Sequence, residues 1–486
     1  MSTETQNEPL LPTRWASIVA WWSSVHFLVV ILVLSTVILY YPATGYELLN
    51  WDDPWYLTWN ELLRSWHPMN LYQILTEPVA RNYAPVTIFT FLVEYHLWGL
   101  HPSGYHATNV LLHAVNAVLV LQLIRQLTRN DWLSLAVALL FVVHPVQVES
   151  VAWISSRKTV LSSTFMLASL ICWLRPERTS RQEGWGIIWL ILGLLSKASC
   201  VVIPLIVIAY DVLIPRKKLS DAIVRQMPGL LFCAMLVFTT MNAQVTIVGG
   251  IRSHLGMSKL ELLGVNLTLL WRYVFMLLVP RGLCVLYNPP VSGIGLLVTL
   301  SALGWGLVSW GLWKVRHTIP LVTFAGISAL LIMIPMLNLF PLTTLMNDRY
   351  LYLTCIPFFA VVGGGIQWVW NGILRCLPQL APAGKIMAAT TILVVAGAMT
   401  WGTANYLPVW KNPVSLWTDA RSKTPSLTVV QIQWALTMEE EGRPEEALSA
   451  LKYALEHCNP DKLDRERIQK IQDRLRSPAE AMEHEA

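Results

Sequence analysis

Charge is what this chain has least of. Only 13% of its 486 residues are Asp, Glu, Lys or Arg, while 54% are apolar. A soluble domain carries about 25% charged residues to solvate its surface, so a bilayer is the solvent here and an ordinary soluble globular protein is excluded. Cysteine is also scarce. The seven are scattered, form no Cys-x-x-Cys pair and fall mostly inside apolar runs. They read as small buried hydrophobes, not as a disulfide framework or a metal site. The net charge of +5 is small and spread over short loops. It reports membrane orientation rather than nucleic-acid binding. There is no P-loop, dinucleotide fingerprint, zinc motif or nucleophile elbow, so nothing grips a nucleotide by a known device.

What the chain has in abundance is apolar runs and tryptophan. The 23 Trp include Trp15, Trp21, Trp22, Trp132, Trp185 and Trp313 near the ends of apolar runs, the pattern of an interfacial belt. Crossing segments are expected near 16–41, 105–124, 132–144, 159–174, 185–196, 199–214, 228–248, 291–313, 319–340, 350–370 and 386–406. Basic residues cluster at Arg125/Arg129, Arg175/Arg178/Arg181, Arg216/Lys217/Lys218/Arg225 and Lys314/Arg316, and these loops should face the cytoplasm. The expected organisation is an all-α polytopic membrane protein with a cytoplasmic tail at 1–14 and a transmembrane domain at 15–406. About eleven spans put an extracytoplasmic tail at 407–486. To keep that parity, the apolar part of 249–290 (262–279) is expected to be re-entrant or to lie on the surface, with a missed span as the alternative. The first outer loop, 42–104, contains a stretch from Ala84 to Leu100 too interrupted to span comfortably. Pro85 sits at a helix start, and Thr87, Thr90 and Glu94 share one face, which predicts an interfacial amphipathic helix over 85–99.

Chemistry-bearing residues fall in the expected outer loops. Residues 50–56 read Asn-Trp-Asp-Asp-Pro-Trp-Tyr. Two adjacent carboxylates at a bilayer surface are expensive unless used. Asp52 and Asp53 suit a general base, divalent-metal ligands or both, and suit a solvated Asp-Pro turn equally well. The second outer loop, 144–158, carries His144, Glu149, Arg157 and Lys158. Cations on the outer face can grip a lipid carrier's phosphate or snorkel to anionic headgroups. Lys197, and Arg349 beside Asp348 in Asn-Asp-Arg-Tyr-Leu-Tyr, add two more. Asn109 and His113, inside the second span, are assigned to helix-to-helix hydrogen bonding. Beyond Tyr406 the chain turns polar. Ala435, Gly442, Ala447 and Ala454 occupy small-residue positions of a tetratricopeptide repeat, with Pro460 one place late; Trp417, Ala420 and Pro425 match a preceding half-repeat. So short an array cannot bury its own core, so the tail is expected to pack on the membrane domain or on a protein partner; a plain helical-hairpin cap fits as well.

In this order, the Trp-Asp-Asp turn, His-Pro-Val-Gln-Val-Glu-Ser-Val-Ala-Trp-Ile-Ser-Ser-Arg-Lys, Asp-Arg-Tyr-Leu-Tyr and the repeat-like tail resemble the transmembrane and tetratricopeptide-repeat O-mannosyltransferases, particularly their bacterial relatives. These lie within the GT-C superfamily of polyprenyl-phosphate-dependent membrane glycosyltransferases. The resemblance implies a GT-C fold in a bacterial inner membrane and an inverting transfer of a mannose-like hexose from a polyprenyl-phosphate donor to an acceptor hydroxyl. It implies Asp52, Asp53 and Glu149 as catalytic acids, with Asp52 the base. Arg157, Lys158, Lys197 and Arg349 would hold the donor phosphate, and His144 and Asp348 would support them. Magnesium or manganese on Asp52 and Asp53 is compatible. The usual members carry a long repeat array, so this short tail leaves the acceptor open between protein, lipid and glycan. A lipid-linked-sugar flippase predicts a polar midplane path and repeated broken helices; the sequence shows no such symmetry. A non-catalytic scaffold predicts carboxylates that share no pocket.

Overall fold

The computed structural model describes residues 25–80, 82–248, 257–338 and 344–483, and among these it is all-α. The polar segment 1–14 and the start of the first span lie outside the described residues. Each of the eleven expected segments coincides with a helix. Among the described residues six helices have the length and composition to cross a bilayer: Val25–Gly45, Pro102–Thr128, Leu219–Thr239, Lys259–Leu278, Gly295–Val315 and Ile386–Trp410. A seventh candidate is bent, with Asp131–Val143 and Pro145–Ala152 meeting at 56°. Many of their large apolar side chains face outward, Leu34, Ile38, Leu300 and Trp401 among them, and Ser301 is the one buried residue of Gly295–Val315. A helix apolar on its outer face needs lipid against it. The chain is an integral membrane protein.

Residues 259–278 form one unbroken helix of 20 residues, opened by a capping box between Ser258 and Glu261. That continuity rules out a re-entrant hairpin within it, and its length admits a crossing. Its far end reaches the candidate site, where the Leu277 carbonyl accepts from His144.

Local chemistry sets the other helix ends. Pro102 starts the longest inner helix, and Arg129 ends it in the left-handed region at φ 53°. Asn130 then caps Asp131–Val143 by accepting from the Leu133 N–H at 3.1 Å. Helices Arg157–Trp173 and Ser180–Ser196 pack where Gly186 leaves room for the Trp173 indole; a Cβ there would meet it at 2.2 Å. The basic loops gather at one end of the bundle, where Arg178 and Lys217 both reach Asp211, at 2.6 and 3.2 Å. Loops 42–60 and 144–158 meet at the other end.

The expected helix at 85–99 is present as Pro85–Trp98, but its polarity runs opposite to expectation. Thr87 and Glu94 are buried against protein, whereas Phe89, Leu97 and Trp98 point outward. The polar stripe serves the protein interior because Arg157 lies behind it. A separate small core of Tyr56, Leu57, Leu63, Ile74, Ile88, Phe91, Leu92, Tyr105 and Ile154 packs under this first long loop. It makes the loop a structured platform rather than a flexible connection.

The tail is four helices: Pro413–Lys423, Thr428–Glu440, Pro444–His457 and Lys462–Glu483. Trp417, Ala420, Ala435, Ala447 and Ala454 are fully buried between them, and Gly442 turns the chain at φ 70°.

Candidate active site

Asp52, Asp53 and Glu149 lie at the loop end of the bundle, and of these three only Asp52 accepts no side-chain hydrogen bond from the described residues. Asp53 is fully buried. Its Oδ2 accepts from the Leu49 N–H at 2.8 Å; its Oδ1 accepts from the Ser155 N–H at 3.0 Å and from the Ser155 hydroxyl. Burial pushes the Asp53 carboxyl up to about 6, against the pull of those hydrogen bonds. Glu149 is also fully buried, with one oxygen accepting from the Arg349 N–H at 2.7 Å and the other paired with the Arg349 guanidinium. Asp52 differs. It is half-buried, and its side chain accepts no hydrogen bond from the described residues.

The cations divide the same way. Arg157 is buried, and its donors go to Asn109, Glu94 (2.8 Å), the Tyr105 carbonyl (2.8 Å) and Thr90 (3.5 Å). Four of its five N–H donors are taken and its side chain is fully buried, so in this structure Arg157 ties the second loop to helix Pro85–Trp98 and stands away from the three partly exposed cations. Lys158, Lys197 and Arg349 are each partly exposed. Lys158 Nζ donates to the Tyr56 hydroxyl at 3.1 Å, and Lys197 Nζ donates to Thr159 at 3.0 Å. Arg349 lies over the Trp153 ring at 5.3 Å with 15% of its side chain exposed. Asp52 is close enough to act electrostatically on Asp53, Lys158 and Arg349. Burial, followed by the neighbouring Lys158 and Arg349 charges, pushes the Lys197 ammonium down to about 7. Asp52 thus lies within electrostatic reach of Lys158 and Arg349, and both of those lie within reach of Lys197.

Two further expectations change. His144 is buried, donates Nε2–H to Leu277 at 3.2 Å and accepts from the Val146 N–H at 3.3 Å. Both ring nitrogens serve the backbone bend at Pro145, so it shapes the loop. Asp348 is buried between the hydroxyls of Tyr287 and Tyr406, the latter at 3.3 Å. Burial, then the nearby Glu149 charge, holds it well above the usual carboxylate range. Tyr287 and Tyr406 escape a reading of the sequence because neither lies in a motif. Asn109 and His113 tie helix Pro102–Thr128 to turns rather than to another helix, Asn109 to the Trp153 carbonyl at 3.0 Å and His113 to the Tyr352 hydroxyl at 2.8 Å. A metal at Asp52 and Asp53 does not fit, since Asp53 is fully buried with both oxygens already accepting hydrogen bonds, and the described residues bring no three His, Cys, Asp or Glu side chains into a metal-holding group.

The buried Arg157 leads to a stability prediction. Arg157→Met leaves Glu94 as an unpaired buried carboxylate and should cost about 3–5 kcal/mol. Arg157→Met with Glu94→Gln should recover most of that. Thermal unfolding in detergent checks both. A double variant as unstable as the single one would show that the pair does not carry the cost.

A membrane-embedded helical protein with a water-accessible cluster of one carboxylate and three cations at one bundle end is the class the geometry defines. No family model matches the sequence. The chain is similar to curated protein O-mannosyl-transferases, in line with the resemblance its motifs carry. It is 25% identical over 379 residues to one from Caenorhabditis elegans, covering 76% of this chain and 52% of that protein. It is 34% identical over 133 residues to human TMTC4, covering 23% of this chain and 18% of that protein. The chain thus spans about half the length of the nematode relative. Among solved structures it is similar to the Archaeoglobus fulgidus oligosaccharyltransferase (TM-score 0.44, 13% identity, 81% of this chain and 56% of that one). It is also similar to ArnT from Cupriavidus metallidurans bound to undecaprenyl phosphate (TM-score 0.40, 15% identity, 89% and 76%).

Proposed function

We propose that the protein is an inverting glycosyltransferase of the O-mannosyltransferase type, using a polyprenyl-phosphate sugar on the extracytoplasmic face of a bacterial inner membrane. The observation that carries this reading is the Asp52 carboxylate, which accepts no hydrogen bond from the described residues and stands within electrostatic reach of Lys158 and Arg349, with Lys197 next to those two cations. The similarity to curated mannosyltransferases supports the sugar class, and the cytoplasmic reading of the basic loops supports the face.

In this mechanism Asp52 takes the proton of an acceptor hydroxyl. The acceptor oxygen attacks the anomeric carbon, and the bond from that carbon to the phosphate oxygen breaks with inversion. Its electron pair leaves with the polyprenyl phosphate. The three cations stabilise the charge that grows on that leaving group, so it departs unprotonated and no metal step is needed. Glu149 orients Arg349, and Asp53 fixes the turn that carries the base. The acceptor is a hydroxyl of a protein, lipid or glycan. Purified protein should consume one member of a panel of radiolabelled polyprenyl-phosphate sugars, and Asp52→Asn should abolish that consumption. Equal consumption by the variant sinks the assignment.

Lys197 sets a pH dependence. Its ammonium is charged below about 7 and neutral above. Donor KM should therefore rise as pH increases through 7, while Lys197→Arg, cationic throughout, should keep KM flat. Steady-state kinetics from pH 6 to 9 read the difference. Parallel profiles would remove Lys197 from the donor site.

A further inference from the structure

The Asp52 turn is gripped by the chain's far end. Asn50, two residues before it, accepts from the Trp417 indole N–H at 2.8 Å and donates to Thr437 at 2.9 Å and Glu440 at 3.2 Å. Trp51 meets the Trp417 ring edge-on, centroids 5.3 Å apart. The Glu47 N–H donates to the Lys411 carbonyl at 2.9 Å. Trp417 is fully buried, so it is not a surface contact made in passing. The same tail also holds the segment 283–288. Lys423 donates to the Leu283 carbonyl at 2.7 Å, and Asn288 donates to Ser426 at 3.1 Å. Between those two anchors, Tyr287 reaches Asp348.

From this we infer that the tail is a built-in positioning element of the catalytic turn, with Asn50 and Trp417 as positioning residues that set where the Asp52 carboxylate stands. The inference rests on the glycosyltransferase reading for its kinetic consequence but not for its structural one. Asp53 fixes the turn to the second loop, and the tail fixes it from the other side. The Asp52 side chain accepts no hydrogen bond from the described residues, so these two clamps on its neighbours set where it stands. A general base must stand within hydrogen-bond reach of the proton it takes, and small displacements cost rate steeply. A partner that pulls on the repeat-like tail acts on the base directly.

The test uses the full chain with Asn50→Leu or Trp417→Phe. The second variant keeps an aromatic ring beside Trp51 while removing the indole N–H together with the fused ring, and it gives an independent readout if the first folds poorly. Hydrogen exchange should quicken at amides 49–56 in both variants, while protection in the membrane helices stays as in wild type. With the donor that wild type consumes, kcat should fall roughly 10- to 100-fold with donor KM and donor-binding stoichiometry unchanged. Unchanged exchange at 49–56 in both variants overturns the inference. So does a kcat loss matched by an equal loss of donor-binding sites, because that is unfolding. If wild type transfers no sugar at all, the glycosyltransferase reading fails while the exchange result still decides whether the tail holds the turn.

Discussion

Asp52→Asn is expected to lower sugar transfer roughly 10²- to 10⁴-fold, the usual contribution of a positioned general base. The substitution changes no volume, and no hydrogen bond from the described residues depends on the Asp52 side chain. Membrane insertion, helix content and unfolding temperature should therefore match wild type. Donor binding should hold or tighten, because removing a negative charge beside Lys158 and Arg349 leaves more net positive field for a phosphate. A fall in kcat with an equal or lower donor KM marks loss of transition-state chemistry rather than loss of binding. Asp53→Asn offers the contrast. Its carboxylate holds Leu49 and Ser155 in a buried place, so it should lose stability as well as rate. If Asp53→Asn alone were inactive and well folded, the two roles would have to be exchanged.

The sequence carries the membrane class, the helix positions and the three segments that supply the candidate site. Apolar length and basic loops fix the first two, and the motifs mark the third. What it does not carry is which member of each adjacent pair faces the candidate site. Asp52 and Asp53 are neighbours, as are Arg157 and Lys158, and composition treats each pair as one feature. A helix turns by about 100° per residue, so successive side chains look in different directions. Arg157 turns inward to Glu94, and Lys158 stays beside Tyr56. The same blindness reversed helix Pro85–Trp98. Its stripe at Thr87, Thr90 and Glu94 is legible, but a stripe does not say whether water or a buried guanidinium lies opposite. The tail's grip on Asn50 spans 367 residues, and no local pattern reports so distant a contact.

The second large effect concerns Arg349. Arg349→Gln should lose both stability and transfer, for different reasons. Glu149 is fully buried and both its oxygens rest on Arg349, one on the backbone N–H and one on the guanidinium. Removing the guanidinium strands a buried carboxylate beside Asp348, which should cost about 3–5 kcal/mol. It also removes a cation from the candidate site where the phosphate would leave. Adding Glu149→Gln separates the two. A neutral amide keeps an acceptor for the backbone N–H and carries no charge to strand. The double variant should therefore regain most of the lost stability and none of the lost turnover. Arg349→Lys should fall between, keeping the charge but losing the planar fork and its contact over Trp153. Thermal unfolding and turnover, measured on the same preparations, give the answer. If stability and turnover return together in the double variant, Arg349 holds the fold and not the donor, and the leaving phosphate must be met by Lys158 and Lys197.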